Sequence, residues 1–296
     1  MMHRVGLSCP PCAADWEYML TVLIATYNGA ATLPYVLEAY RNLASPDGGW
    51  QLVIVDNGST DQTRAIIASF RQRLPLTYLY EPQQGKNTAL PAVSGELVVF
   101  TDDDTLPRPN WLKLLRSAAD SHPSFAIFGG PILPQWESPP EEWIMAWVPL
   151  PVSFGVLYPR DDGPIPPRLV PSAVFGANMA IRTSIVERGY RFNEAIGPKG
   201  SNYAMGSEAE LLRRLARKGM QAWHCRSAVV QHIIRAFQMR EEWIRARGPL
   251  WSRPVSHGGT APADTAMVVA GDTNGVVGTD GASRSLRRPS EVAWQS

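Results

Sequence analysis

The sequence predicts an α/β fold, with a mostly parallel sheet and helices on both of its faces. In the first 130 residues, short apolar runs rich in Val, Ile, Leu and Phe alternate with segments of helical periodicity. Polar turns bound each run, as is typical of buried parallel strands. The 296 residues are 45% hydrophobic, which is enough to bury a full core. The alternation therefore indicates repeated strand–helix units.

The predicted elements of this region follow in chain order. The strands are 20–25, 52–55, 76–80, 96–101 and 125–128. The helices are 31–43, 60–73, 87–93 and 110–120. Ser59 and Asn110 are suitable N-caps for the second and fourth of these helices. Because ligands bind beyond the carboxyl ends of the strands in such sheets, the residues after each strand are candidates for function.

The chain changes character between residues 131 and 171, where prolines and tryptophans follow no clear period. This indicates a long excursion over one face, a kind of segment that often carries function. Trp143 and Trp147 are four residues apart, so a short helix places them on one side for acceptor contact or packing. Further elements are predicted by the pattern, namely a strand at 173–182, a helix at 208–218, a strand at 228–231 and a helix at 238–247.

Composition limits the class of protein. The 28 Lys and Arg residues against 27 Asp and Glu give a net charge of +1, so no global field attracts nucleic acid, and no nucleic-acid partner is predicted. Three cysteines without a second pair do not favour a zinc site and suit a reduced compartment. No apolar run reaches the roughly 18 residues that span a bilayer. We therefore expect a cytoplasmic protein, and peripheral association with the inner face of the membrane stays open.

The termini differ from the rest of the chain. Residues 1–18 lack the features of a signal peptide and are predicted to be a disordered leader. Residues 251–296 are rich in Gly, Ala, Ser, Thr and Val and poor in large apolar residues, so we expect a disordered tail. Whether this tail is native or the product of a truncated or frame-shifted gene is left open. The folded domain is predicted to cover 19–250.

Three consecutive acids, Asp102, Asp103 and Asp104, follow the strand at 96–101. Their charges repel one another unless water or a cation screens them. Mg²⁺ or Mn²⁺ prefers one or two carboxylates together with waters and phosphate oxygens. By itself the run is compatible with a metal–diphosphate site and equally with a solvated acidic turn.

Five segments place this run in a wider context, and they are 22–28, 53–61, 100–104, 175–182 and 206–215. In this order and spacing they resemble the family-2 glycosyltransferases of GT-A fold, across about residues 19–250. The resemblance implies a Rossmann-like sheet with a variable acceptor-side region. It also implies that 19–130 bind the nucleotide sugar and that 131–250 carry the acceptor side and the catalytic base.

The resemblance assigns roles to the polar residues at the strand ends. The implied nucleotide-sugar contacts are Thr26, Tyr27, Asn28, Asp56, Lys86, Asn87, Asp102 and Asp103. These roles agree with the chemistry of the side chains, because a carboxylate can accept a hydrogen bond from the uracil imide N–H and a tyrosine ring can pack on the base. Without the resemblance, Asp56 is equally suited to an Asx-turn or helix cap, and Lys86 to a surface position.

The same resemblance points to the base, the metal ligands and the acceptor side. Glu208 occupies the Asp position of the family's Glu-Asp pair, here Ser207-Glu208, and is the implied general base. A helix-terminal acid is the alternative. Asp104 and His232 are the implied ligands of Mg²⁺ or Mn²⁺, although a histidine at a strand end also suits packing. The implied acceptor-side residues are Gly176, Ala177 and Asn178.

Together these features predict an inverting, metal-assisted glycosyltransferase. The donor is a nucleotide diphosphate sugar, for which a UDP-sugar is expected, and the acceptor is a hydroxyl group of a glycan or a lipid-linked molecule. Bacterial cell-envelope polysaccharide synthesis is the implied setting. The alternative is a non-catalytic glycan-binding or scaffold protein derived from a transferase, which Ser207 in place of the usual acid suggests.

Overall fold

The structure, a computed structural model, describes residues 20–82, 85–196, 198–199, 202–203 and 206–247. The predicted leader 1–18 and tail 251–296 lie outside these residues. Among the described helices, none has both the length and the apolar character needed to cross a membrane.

The described residues form one large sheet, two small sheets and several helices. The strands are β1 Leu20–Thr26, β2 Trp50–Asp56, β3 Leu76–Tyr80, β4 Leu97–Asp102, β5 Thr105–Pro107, β6 Ile127–Gly129, β7 Ile132–Trp136, β8 Gly163–Ile165, β9 Met179–Arg182, β10 Pro198–Lys199, β11 Asn202–Tyr203, β12 Ala222–His224 and β13 Val230–Ile234. The α-helices are α1 Leu33–Arg41, α2 Thr63–Phe70, α3 Trp111–Ser121, α4 Glu142–Trp147, α5 Leu150–Phe154, α6 Val170–Ala173, α7 Thr183–Glu187, α8 Ser207–Arg217 and α9 Glu241–Arg247. Short 3₁₀ turns cover Asn87–Ala92, Pro167–Leu169, Gly176–Asn178 and Ala236–Met239.

The large sheet has the strand order β3-β2-β1-β4-β9-β6-β12-β8. The pairs β1–β2, β2–β3, β1–β4 and β6–β12 are parallel, whereas β9 is antiparallel to both of its neighbours and β8 to β12. The predicted mostly parallel sheet is confirmed. The chain runs from β1 outward through β2 and β3 and then returns to the other side of β1, so β1 and β4 flank a topological switch point.

Helices cover both faces of this sheet because its central strands are apolar on both sides. In β1, Val22 and Ile24 face one core, which contains buried residues of α1, α2 and α3. Leu23 of the same strand faces a second core with the turn Asn87–Ala92 and helices α6, α7 and α8. The alternation follows from the two-residue period of a strand. The predicted helices on both faces are confirmed.

Helix α8 and the three-stranded sheet position two of the predicted site residues. In α8, Leu211, Leu212 and Leu215 are buried against the second core, while acidic residues in the first turn and basic ones in the last complement the helix dipole. In the three-stranded sheet β5-β13-β7, His232 pairs with Thr105. His232 is thereby brought next to the residue that precedes Thr105, which is Asp104.

Some predicted elements are wrong in detail. The strand predicted at 173–182 is in fact the end of α6, the 3₁₀ turn Gly176–Asn178 and the four-residue strand β9. The residue at the N-cap of α2 is Gln62, not Ser59, and the first-turn amide of Thr63 donates instead to Asp61 Oδ1 (3.0 Å). The helix predicted at 238–247 begins only at Glu241. The N-cap position of Asn110 is confirmed, but its side chain makes no capping hydrogen bond.

Candidate active site

The candidate site lies at the carboxyl ends of β1 and β4, where the topology switches direction. Ala25 of β1 is in register with Asp102 of β4, so the end of β1 and the acidic run meet at one edge. The antiparallel strand β9 begins at this edge, because Met179 pairs with Phe100. The turn Gly176–Asn178, which precedes β9, therefore lies beside the acidic run.

The end of β2 is built by a network around Asp56. Asp56 is almost fully buried, and its Oδ1 accepts a hydrogen bond from Ser59 N (2.8 Å) while its Oδ2 accepts one from the Tyr78 hydroxyl (2.9 Å). Asn28 adopts a left-handed backbone conformation (φ 54°) and links to the same loop through Thr60 N, which donates to Asn28 Oδ1 (2.8 Å). Both residues therefore fix the loop after β2, whereas Tyr27 is 53% exposed. The ring of Tyr27 is available for a ligand.

Thr26 and Asp103 contact each other, and the Thr26 hydroxyl donates to Asp103 Oδ2. Thr26 is buried, so its side chain supports Asp103 rather than facing the cleft. Burial, followed by the charge of Asp104, raises the pKa of Asp103 to about 7. Gly29 packs against this pair, because a Cβ on Gly29 would lie 2.6 Å from Asp103 Oδ2. The sequence reasoning missed Gly29, although a glycine three residues after a strand end is a recognisable sign of close approach.

Asp104 and His232 form the candidate metal-binding pair. His232 Nε2 lies 3.2 Å from Asp104 Oδ2, and His232 Nδ1 donates to the backbone carbonyl of Phe154 (2.7 Å). Burial alone would lower the pKa of His232, but the Asp104 carboxylate outweighs it and raises the pKa to about 9. Burial likewise opposes ionisation of Asp104, but the charge of His232 lowers the Asp104 pKa.

This pair fits a hard divalent cation. Two facing acceptors 3.2 Å apart are stable only with a proton or a cation between them, and the raised pKa of His232 favours a proton there at neutral pH. The bond from Nδ1 to a carbonyl is the arrangement that orients metal-bound histidines. The described residues contain no group of three or more side chains suited to holding a metal. Mg²⁺ accepts few protein ligands when waters and phosphate oxygens complete its shell.

Lys86 joins the two halves of the site. Its Nζ lies 3.2 Å from Asp102 Oδ1, at the end of β4, and 3.0 Å from Glu208 Oε1, in the first turn of α8. The charges of both carboxylates outweigh the effect of burial and raise the pKa of Lys86. The predicted base therefore lies beside the acidic run.

Glu208 is held on three sides. Its Oε1 contacts Lys86, and its Oε2 accepts a hydrogen bond from the Ser207 hydroxyl (2.8 Å). Gly176 lies behind it, because a Cβ on Gly176 would be 2.9 Å from Glu208 Cγ. Burial would raise the pKa of Glu208, but Lys86 and these hydrogen bonds lower it to about 2. Glu208 is therefore ionised at neutral pH, as a general base must be.

Two predicted site residues have other roles in the structure. The Asn87 amide donates to the Phe192 carbonyl and to Glu194 Oε1 (2.9 Å each), and its Oδ1 accepts from Phe192 N (2.9 Å). These bonds anchor the Asn87 side chain to the segment 192–194, and its contact with the nucleotide stays a prediction.

Asn178 is fully buried, and its side chain bonds Trp111 Nε1 and the carbonyls of Pro131 and Ala228. The side chain thereby holds loops together, and the acceptor-side role of Asn178 stays a prediction. The neighbouring Ala177 carbonyl accepts a hydrogen bond from Thr101 of β4 (3.0 Å). Within the predicted acceptor-side turn, Gly176 is the residue that reaches the site, through its contact with Glu208.

Arg235, just after β13, packs its guanidinium 4.5 Å from the centre of the Phe237 ring. Its positive charge offsets part of the effect of burial on Asp103, whose pKa stays raised, and contributes to the lowered pKa of Asp104. Its Nε is buried and has no hydrogen-bond partner among the described residues. A cation in this position is suited to an anionic group bound near Asp104.

Comparisons with known proteins agree with this architecture. Residues 21–188 match the model of a family described as glycosyl transferase family 2. Validoxylamine A glucosyltransferase of Streptomyces hygroscopicus is 29% identical over 126 residues, which are 40% of this chain and 30% of that protein. The poly(ribitol-phosphate) β-N-acetylglucosaminyltransferase TarS of Staphylococcus aureus is 31% identical over 110 residues, which are 35% of this chain and 19% of TarS. The chain thus spans less than a third of the length of these two relatives.

Solved structures show the same fold. The crystal structure of S. aureus TarS 1-349 in complex with UDP-GlcNAc superimposes with a TM-score of 0.55 at 19% identity. The match covers 73% of this chain and 58% of that one. This likeness confirms the predicted GT-A fold.

Proposed function

Because the chain belongs to glycosyl transferase family 2, whose model matches more than half of it, we propose that it is an inverting glycosyltransferase. It moves a sugar from a nucleotide diphosphate sugar to a hydroxyl group of an acceptor. The observation that carries the proposal is the double contact of Lys86 with Asp102 and Glu208. This contact gathers an ionised carboxylate from the second half of the chain and the acidic run of the first half into one site.

A UDP-sugar is the proposed donor. The TarS structure that shares this fold is described as a complex with UDP-GlcNAc. In the present chain Tyr27, whose ring is exposed, directly follows Thr26, which is in register with the buried Asp56. This arrangement places an apolar ring close to hydrogen-bonding groups. A carboxylate has about four acceptor sites, so Asp56 can accept a base N–H in addition to its two bonds within the protein. Residues 19–130 carry this donor side in our proposal.

Glu208 acts as the general base in the proposed mechanism. Its carboxylate takes the proton of the acceptor hydroxyl while the hydroxyl oxygen attacks the anomeric carbon. The bond from this carbon to the diphosphate oxygen breaks, and the diphosphate leaves with the bonding electrons. Attack opposite to the leaving group inverts the anomeric configuration. General-base assistance of this kind contributes about 10²- to 10⁴-fold in rate.

A divalent cation, Mg²⁺ or Mn²⁺, is proposed as cofactor, with Asp104 and His232 as its protein ligands. When bound, such an ion stabilises the negative charge that develops on the leaving diphosphate. Arg235 lies where its charge supports the same anion. Asp102 and Asp103 are assigned to the sugar-nucleotide side of this centre.

The proposed acceptor is a glycan or a lipid-linked molecule in the synthesis of a cell-envelope polysaccharide. Names of similar proteins support this proposal, since they include a putative teichuronic acid biosynthesis glycosyltransferase of Bacillus subtilis and a succinoglycan biosynthesis protein of Rhizobium meliloti. A cytoplasmic location, with contact to the inner membrane face where the acceptor is lipid-linked, belongs to the same proposal.

Donor binding tests the proposal. A panel of UDP-, GDP- and dTDP-sugars is screened by thermal unfolding with Mn²⁺ and again with EDTA. A matching donor at about 100 times its dissociation constant adds about 2.7 kcal/mol of stability. We expect a UDP-sugar to stabilise the protein with Mn²⁺ and much less with EDTA. No stabilisation by any donor would contradict the proposal, and metal-independent glycan binding without donor binding would favour a scaffold protein.

A further inference from the structure

Lys86 is the point at which three separate parts of the chain meet. It follows β3 and precedes the turn Asn87–Ala92, while its two partners lie at the end of β4 and at the start of α8. Only 14% of the Lys86 side chain is exposed, compared with 23% for Glu208. A lysine in this setting gives up much of its hydration, which is tolerated when charged partners replace the lost water.

The charges of this group argue against a primary role in attracting the donor. One ammonium lies between two carboxylates at 3.0 and 3.2 Å, so the group as a whole is negative. Lys86 therefore does not present an unpaired positive charge to a diphosphate. Arg235, in contrast, forms no such pair among the described residues and lies near Asp104. The two cations therefore have different electrostatic surroundings, and Lys86 is the one that forms an ion pair with Glu208.

Among the residues that the structure describes, Lys86 is the dominant charged partner of Glu208. Within α8, Glu210 is paired with Arg214 (2.7 Å), and Ser207 donates a neutral hydrogen bond. The turn Pro167–Leu169 and α6 pack against α8. Their charged side chain, Arg168, is exposed and does not affect the pKa of Glu208. From β4, Asp102 faces the same ammonium and adds negative charge.

We propose that Lys86 is a positioning residue, which holds the Glu208 carboxylate in place for proton transfer and anchors it through Asp102 to the donor side. The proposal rests on the proposed function, since it concerns the base of that reaction. The electrostatics support it: burial favours the neutral acid, and the ammonium of Lys86 is the main influence that keeps the pKa of Glu208 low. Without Lys86 the largest influence that lowers the pKa of Glu208 is lost, so we expect this carboxyl to titrate at a higher pH than in the wild type.

The first readout requires no substrate. The side-chain carboxyl carbons are labelled with ¹³C-glutamate, and the Glu208 signal is assigned by its loss in Glu208→Gln. In the wild type we expect Glu208 to stay ionised down to about pH 3, and in Lys86→Met we expect it to titrate at a clearly higher pH. Lys86→Arg keeps the charge and should keep the low titration. Lys218→Met removes an exposed lysine at the end of the same helix and is the matched control. Lys86→Gln replaces Lys86→Met if the latter does not fold.

The second readout separates positioning from donor binding. With UDP-GlcNAc as the probe, we expect the hydrolytic kcat of Lys86→Met to fall about 10²-fold, the loss that a misplaced catalytic group causes. The dissociation constant of UDP with Mn²⁺ should change by less than about threefold. An unchanged Glu208 titration in Lys86→Met would overturn the inference, and so would a loss of UDP affinity as large as the loss of kcat. If the wild type neither binds UDP nor hydrolyses any donor, the proposed function fails, and the titration still decides whether Lys86 controls Glu208.

Discussion

Gly176 offers a way to displace the proposed base without touching any ionisable group. Its backbone φ lies outside the left-handed region, so alanine is compatible with the local conformation. The added methyl group, however, would lie 2.9 Å from Cγ and 3.0 Å from Oε1 of Glu208. In Gly176→Ala the Glu208 side chain must therefore move, because it is the flexible partner in this contact.

The size of the effect follows from these distances. Carbon atoms in contact lie about 3.5–4.0 Å apart, so Glu208 has to shift by roughly 0.6–1 Å. A misplacement of about 1 Å can cost about 10²-fold in rate, which corresponds to about 2.7 kcal/mol. The loss in the free energy of unfolding should lie at or below the low end of the about 1–3 kcal/mol that overpacking in a core costs, because Glu208 is partly exposed and can move.

The assay compares the rate of nucleoside diphosphate release from the donor that the binding screen identifies. Gly163→Ala is the matched control, because Gly163 also lies outside the left-handed region and nothing would lie within 4 Å of its new methyl group. We expect Gly176→Ala to lose about 10²-fold in turnover and Gly163→Ala to keep it. Equal turnover in both variants, with the wild-type fold retained, would refute the assignment of Glu208 to this position.

Three further predictions concern stability, pH and the metal. Asn178→Ala removes three buried hydrogen bonds, although the Pro131 carbonyl keeps Val230 N as a donor. The free energy of unfolding in urea should fall by roughly 3 kcal/mol, and a loss below about 1 kcal/mol would show that these bonds contribute little to stability. Burial, followed by the charge of Arg160, lowers the pKa of His224 to about 4 in the folded protein. As the pH falls from about 6.5 to 4, the histidine therefore takes up a proton in the unfolded chain but not in the folded one, and the free energy of unfolding should decrease. The dependence of the free energy of unfolding on pH in this range should be weaker in His224→Phe. An equal dependence in both proteins would contradict the assignment of this effect to His224. Asp104→Asn should weaken Mn²⁺-dependent UDP binding by at least about tenfold in calorimetry, as removal of a metal ligand does, while the exposed control Asp47→Asn keeps it.

The strands of the first half could be predicted because they are buried on both faces. Residues 20–25, for example, form an apolar run interrupted only by Thr21, and the polar residues that follow it are typical of strand ends in such sheets. The element at 173–182 could not be predicted in the same way. Its apolar residues suit a strand, but the side chain of Asn178 bonds three distant groups and the chain turns at Gly176–Asn178. Tertiary hydrogen bonds override the local pattern there.

The residue types of the site could be predicted, but their contacts could not. The acidic run and Glu208 are recognisable from their positions after a strand and before a helix. The contact from Lys86 to Glu208 joins residues 122 positions apart, and no local pattern indicates it. Asn87 shows the converse case, because its position next to Lys86 suggests a shared role, whereas its side chain bonds the backbone of Phe192.

The central claim is that Glu208 takes the acceptor proton, and Glu208→Gln tests it most directly. The glutamine keeps the size of the side chain and removes its basicity. With the identified donor, we expect turnover to fall by about 10²- to 10⁴-fold while the dissociation constant of UDP with Mn²⁺ stays within about threefold of the wild type. Turnover equal to that of the wild type would contradict the account.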